Sequence, residues 1–178
     1  MTLVMPAKAG ISLQRGDPGL RRGDGNVGVL AGIARKARSK APMELIDRAV
    51  VTLDGGIEGD HRGLVKPGGR GRRQVTLMER DDWVAATGEL GVVVPWQERR
   101  ANLLVDGFDL PQVAGALIRV GGEVVVEVSF ECDPCHRMEA VAPGLRAALT
   151  PDWRGGVCTR VIAGGTIAVG DEIRIEEA

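Results

Sequence analysis

Ala116-Leu117-Ile118-Arg119-Val120-Gly121-Gly122-Glu123-Val124-Val125-Val126-Glu127-Val128-Ser129-Phe130 is two apolar, largely β-branched runs separated by a glycine pair. Branched side chains are stiff at χ1 and suit a pleated surface. Two adjacent glycines take the positive φ of a tight hairpin turn without steric cost. The stretch therefore reads as a hairpin, strand 116–120 against strand 123–130.

The same pattern recurs on both sides. Short extended runs lie at 27–33, 49–53, 74–78 and 103–105, with Gly- and charge-rich loops between them, notably 35–40, 54–63 and 66–73. Residues 156–162 and 166–175 read as a last pair of strands joined by Gly164-Gly165, the second broken at Gly170-Asp171. Helical composition is confined to 79–90, which ends near Gly91, and to 143–149, opened by Pro143. Many short strands, glycine-rich turns and few helices predict a mainly β fold: a closed or partly open β-barrel with two or three short helices. Residues 1–26 are rich in Gly, Pro, Arg and Asp without a sustained period. They are expected to be a disordered extension preceding one domain over 27–178.

The totals set limits. With 178 residues the chain is long enough for one full core. It contains no Tyr and only 3% aromatic residues, so that core must be built from Val, Leu, Ile and Ala. The net charge of −1 is uneven: residues 1–40 carry eight Lys/Arg against two Asp/Glu. The remainder is mildly acidic, which argues against nucleic acid as a general partner. No apolar run reaches the roughly 18 residues of a membrane span, and no signal-peptide pattern opens the chain. Three cysteines, an odd number, point to free thiols in a reducing compartment, and a cytoplasmic location is the expectation.

Directly after the long strand comes Glu131-Cys132-Asp133-Pro134-Cys135-His136-Arg137-Met138. The Cys-x-x-Cys spacing allows a dithiol centre, half of a zinc site with His136 and Cys158, or one thiolate acting alone. It also allows two small buried residues at a strand end. Cys158, inside a predicted strand, reads as core. Three Arg/Gly segments stand at strand entries: Lys66 with Arg70, Arg72 and Arg73, then Arg99-Arg100-Ala101-Asn102, then Arg154-Gly155-Gly156. Guanidinium forks match phosphate geometry and glycine-rich backbone can cradle anions. Taken singly, each is also an ordinary solvated loop. His61 is either a proton donor to substrate or a loop histidine, and Glu58 and Asp60 read as loop-shaping.

Several ordered segments resemble the MOSC domain, the molybdenum cofactor sulfurase C-terminal domain. They are Gly56-Ile57-Glu58-Gly59-Asp60-His61, Arg73-Gln74-Val75-Thr76-Leu77, Arg99 through Gly107, Asp109-Leu110, Pro134-Cys135, Pro143-Gly144-Leu145, Arg154-Gly155-Gly156-Val157 and Gly165 through Asp171. The resemblance spans roughly residues 27–175. It implies a β-barrel with a pocket for the molybdenum cofactor, a phosphorylated pterin. It carries the family's thiol onto Cys135, as molybdenum ligand or persulfide carrier, and cofactor contacts onto Arg72, Arg73, Arg99, Arg100, Asn102 and Arg154. Met138 stands where larger relatives have a second cysteine, so the chain looks like the short bacterial stand-alone type. Pyridoxal phosphate is not expected as a cofactor within this chain.

The function so implied is reduction of N-hydroxylated small molecules, with His61 as a possible proton donor beside Cys135 and electrons from a partner protein. The alternative is a sulfur carrier charged by a separate cysteine desulfurase. Neither nucleic acid nor a membrane is an expected partner.

Overall fold

Strand order follows from where apolar alternation can be buried. The computed structural model describes residues 27–177. The chain runs β1 (Val27–Arg35), β2 (Glu44–Ile46), β3 (Arg48–Thr52), β4 (Gly56–Ile57), β5 (Val75–Glu79), α1 (Arg80–Glu89), a 3-10 turn (Trp96–Arg99) and β6 (Leu103–Asp106). It continues with β7 (Leu117–Val120), β8 (Val124–Glu131), α2 (Arg137–Val141), α3 (Leu145–Ala148), a 3-10 turn (Pro151–Trp153), β9 (Val157–Ala163), β10 (Gly165–Ala168) and β11 (Glu172–Glu176).

Seven strands close on themselves in the order β11-β7-β8-β9-β5-β6-β1, with β1 pairing back onto β11 and β2 added beside β1. The pairs are antiparallel except β5–β6, whose parallel connection is made by α1. A second, three-stranded sheet is ordered β10-β3-β4. The barrel predicted from the sequence is therefore present, with its three short helices. The opening hairpin pairs Val120 with Val124 and Leu117 with Glu127, and Gly121 takes the positive φ of 63° that the turn requires.

The core divides in two. Leu30, Leu77, Leu103, Ile118, Val126, Val128, Val157 and Ile173 fill the barrel. Burying each such side chain contributes about 1.5–3 kcal/mol. Met78 and Leu104 face outward from β5 and β6, and Trp83, Met138, Leu145 and Leu149 of the helices cover them. The Trp83 indole N–H donates to the Val94 carbonyl at 2.9 Å, so the ring is buried without an unpaired donor.

The C-terminal strands differ from the expected terminal pair. β9 does not pair with β10, because β8 and β5 already occupy both of its edges. β10 leaves to pair with β3, and β11 returns to close the barrel between β7 and β1. Sequence alternation found these strands but could not assign their partners. The short elements β2, β4 and α2 had no periodic signal long enough to detect. Among the described residues no helix is long and apolar enough to cross a membrane. The expected extension, residues 1–26, lies outside the described residues.

Candidate functional site

β8 delivers the thiol-bearing segment. After Glu131 the chain leaves the sheet, and the Cys132 amide still donates to the Gly156 carbonyl at 2.8 Å. That approach depends on Gly155, where a Cβ would stand 2.4 Å from the Cys132 carbonyl oxygen, while a Cβ on Gly156, at φ 92°, would stand 2.0 Å from the Leu77 carbonyl oxygen of β5. Pro134 is buried and Cys135 is exposed, so the second thiol is presented to solvent at the start of α2. The Cys135 carbonyl accepts from the Met138 amide at 2.9 Å, which fixes the turn.

The two thiols of the motif have separated. Cys132 is buried and hydrogen-bonded to Cys158 on β9. This bond holds the Cys132 thiol below its ordinary range; burial opposes the shift, and the charges of Arg99 and Arg73 assist it. Cys158 is pushed up by the same hydrogen bond and by burial. The zinc set of Cys132, Cys135, His136 and Cys158 is not assembled, and no three His, Cys, Asp or Glu side chains among the described residues could share a metal. Two of the four turn into the β8–β9 seam, while Cys135 and His136 face solvent.

Arginines form the floor beneath this segment. Arg99 is only 5% exposed. Its Nη2 donates to the carbonyls of Cys132 at 2.6 Å and Gly155 at 2.7 Å, and lies 3.4 Å from Cys132 Sγ. Arg73 Nη2 donates to Cys132 Sγ at 3.6 Å. Arg100 sits in the left-handed region, φ 66°, and donates to the Ala41 carbonyl at 2.9 Å. The Nε atoms of Arg99 and Arg100 are buried without a hydrogen-bond partner. Unpaired buried donors are costly, and each marks a place where an acceptor is wanted.

A small recess adjoins Arg100, which lines it with Lys36, Met43, Asp60, Arg62 and Asn102. Burial, then the charges of Arg62 and Arg100, pull the Lys36 amine down to about 8. Arg62 is lowered as well, first by desolvation and then by Arg73. Asp60 does not neutralise them fully, since its oxygens accept from the backbone amides of Lys36 at 2.9 Å and Arg62 at 3.2 Å. That is the loop-shaping role expected of it. Its neighbour His61 is exposed at the rim and held by its own amide on the Lys36 carbonyl at 2.8 Å.

The other expected contacts are distributed differently. Asn102 lines the recess, but its Oδ1 accepts from the Thr76 amide and hydroxyl, and its Nδ2 donates to the Ala34 carbonyl. Its amide ties β5 to β1. Arg72 lies over the Phe130 ring at 5.2 Å and reaches the Ser129 carbonyl, outside the recess. Arg154 pairs with Glu89 of α1 at 2.8 Å and lines a separate cleft with Asp81, Asp82 and Asp152. The structure therefore brings together Arg73, Arg99, Arg100 and Asn102 with His61 at the rim, and leaves the side chains of Arg72 and Arg154 elsewhere. It adds Lys36 and Arg62, which sequence reasoning passed over as loop cations. It also adds Glu131, whose carboxyl is pushed up by burial and then by Asp133, to which it is hydrogen-bonded. The basic run at 35–40 was a signal for Lys36, but only the barrel turns that residue inward.

The assembly gathers buried cations around Cys132, three residues before the exposed Cys135. A family model described as the MOSC domain matches residues 58–174. No curated protein matches the chain in sequence. Among solved structures, the YuaD protein of Bacillus subtilis superposes with a TM-score of 0.71 at 21% identity, covering 85% of this chain and 97% of that one. YiiM of Geobacillus stearothermophilus gives 0.59 at 17% identity, covering 86% and 75%. YiiM of Escherichia coli gives 0.58 at 20% identity, covering 86% and 69%. At these identities the likeness is one of fold.

Proposed function

Because this chain belongs to the MOSC domain family, we propose that it holds a molybdenum cofactor between Cys135 and the cationic recess and reduces N-hydroxylated small molecules. The observation that carries the reading is an exposed thiol on the same segment as Cys132, near buried positive charge that Asp60 only partly offsets. The donor set suits the group. Lys36, Arg62 and Arg100 would have to part to admit a phosphate, since the recess between them is closed; the unpaired Nε of Arg100 would then donate to it, and the Cys135 thiolate would take the metal. The bound metal would supply a centre able to accept the hydroxyl oxygen of the substrate.

The chain's own residues do the rest. Arg99 holds the Cys132 and Gly155 carbonyls in one place and so fixes the loop that presents Cys135. Glu131, with its carboxyl raised, retains a proton nearer neutrality than an ordinary glutamate and is a proton source beside the motif. His61, exposed between Asp60 and Arg62 of the recess, is the other side chain placed to hand a proton to substrate. The overall change is R–NHOH + 2e⁻ + 2H⁺ → R–NH₂ + H₂O, with the electrons supplied by a separate carrier protein.

The test is molybdenum content after expression in a cofactor-producing host. Stoichiometric metal in the wild type and its loss in Cys135→Ala are expected; equal trace metal in both sinks the proposal. The exposure of Cys135 also suits the second reading, a sulfur carrier. A persulfide mapped to Cys135 after incubation with a cysteine desulfurase, without reductase turnover, would favour that reading.

A further inference from the structure

From His61 to Met78 the sequence contains no acidic residue and five cations: Arg62, Lys66, Arg70, Arg72 and Arg73. All five are exposed. None forms an ion pair with a carboxylate among the described residues, although surface arginines elsewhere, such as Arg119 and Arg174, do. The loop is therefore a concentrated positive surface on a chain whose net charge is −1. Self-repulsion makes such a run unfavourable unless something opposite in charge meets it.

Its position gives that charge a use. Arg62 lines both the recess beside Lys36 and the cleft beneath the loop, which it shares with Lys66, Arg72 and Arg73. Arg72 also lines the next groove, with Arg70 and the Arg160–Glu127 pair, along the second half of β8. The cationic surface is thus continuous from the site to the groove. There Phe130, 37% exposed, lies under the Arg72 guanidinium. A partly exposed aromatic beneath an arginine, at the edge of a cationic loop, is a composition that protein-docking patches favour. A partner carrying negative charge would be turned loop-first as it approached.

We propose that the loop at residues 62–73, with Phe130, is the docking surface for an acidic electron-carrier protein that supplies the two electrons of the reductase reaction. This rests on the reductase reading above. Each carrier molecule gives up one electron and leaves oxidised, and two encounters complete one turnover with two protons from solvent or the site. Electrostatic steering sets encounter rates, so the interaction must weaken as salt rises.

The experiment uses a purified acidic [2Fe–2S] ferredoxin as probe against the full chain. Wild type should bind it in a salt-dependent way, Lys66→Glu/Arg70→Glu should bind at least about tenfold more weakly, and Arg48→Glu, an exposed cation on β3, should bind like wild type. Ferredoxin-driven turnover of a hydroxylamino base should fall by the same factor in the double variant. Turnover driven by reduced methyl viologen, which needs no docking, should stay at the wild-type level. Viologen turnover together with equal ferredoxin binding by wild type and double variant, or no binding by either, overturns the docking proposal alone. It is also overturned if the charge reversal abolishes binding to anionic-lipid vesicles or single-stranded oligonucleotides while ferredoxin binding is unchanged. Absence of viologen turnover in metal-loaded wild type overturns the reductase reading and the carrier role together.

Discussion

Cys132 shares a hydrogen bond with Cys158 across the β8–β9 seam, while Cys135, three residues further on, stands exposed. The spacing of the motif suggests a pair, and the fold assigns Cys132 a different partner. The reason is register: Phe130 on β8 is opposite Cys158 on β9, so the residue two places later reaches the same face of the seam.

Thiol alkylation should separate the three cysteines. In the native protein iodoacetamide should label Cys135 alone, with Cys132 and Cys158 at least about a hundredfold slower until denaturant is added, because buried thiols react only through local opening. Mass spectrometry of the labelled peptides reads this directly. Rapid native labelling of Cys132 would contradict the buried pair.

Arg99→Met should destabilise the protein by about 3–5 kcal/mol, since one guanidinium nitrogen serves two carbonyls and its loss strands both. Arg99→Lys should recover only part of this, because a lysine ammonium lacks the planar fork. Urea unfolding measures both. In the lysine variant native labelling of Cys135 should persist while its molybdenum content falls.

Lys36 makes the stability depend on pH in a defined direction. Its amine is drawn down to about 8 by burial and then by Arg62 and Arg100, against an ordinary value of 10.5. Between those values the unfolded chain binds more protons than the folded one. Stability therefore rises with pH across the window and is lost as pH falls through about 8. Relative to Lys36→Met, wild type should gain about 1–2 kcal/mol from the bottom to the top of the window, allowing for solvent screening. Pyrophosphate binding should run the other way, weakening above about 8 as the ammonium is lost, and should be weaker and flatter in Lys36→Met.

Asn102→Ala should cost about 2–3 kcal/mol, because the Thr76 amide and the Ala34 carbonyl would both lose a buried partner. Asn102→Asp should fare no better, since a carboxylate cannot donate to Ala34. Thermal unfolding of the two variants checks this. A variant as stable as wild type would show that the Asn102 amide is not the tie between β5 and β1.

Much of the barrel was legible because its signals are local. The Gly121-Gly122 hairpin, the extended runs around Leu30, Leu77 and Leu104, and the helix at Trp83 each declare themselves within a few residues. What was missed was too short to carry a period, as with β2, β4 and α2, or depended on which edge remained free, as with β10 and β11. The site divides in the same way. Arg73, Arg99 and Arg100 stand at strand entries visible in the sequence, and the fold gathers them. Arg154 stands at a similar entry, yet its side chain goes to Glu89, because a guanidinium takes the nearest carboxylate and only packing decides which that is.

By itself, the sequence determined a β-rich chain, its hairpin turns, the exit of a Pro-Cys segment from a long strand, and a run of cations free of acidic neighbours. These are properties of adjacent residues, set by φ preference, χ1 stiffness and charge. Only the tertiary structure decided that Cys132 belongs to Cys158, that Lys36 and Arg62 turn toward Arg100, and that the Nε atoms of Arg99 and Arg100 lie buried without partners. Those relationships join residues dozens of positions apart. They exist because closing a seven-stranded barrel fixes the register of every strand at once, and with it which side chains are brought face to face.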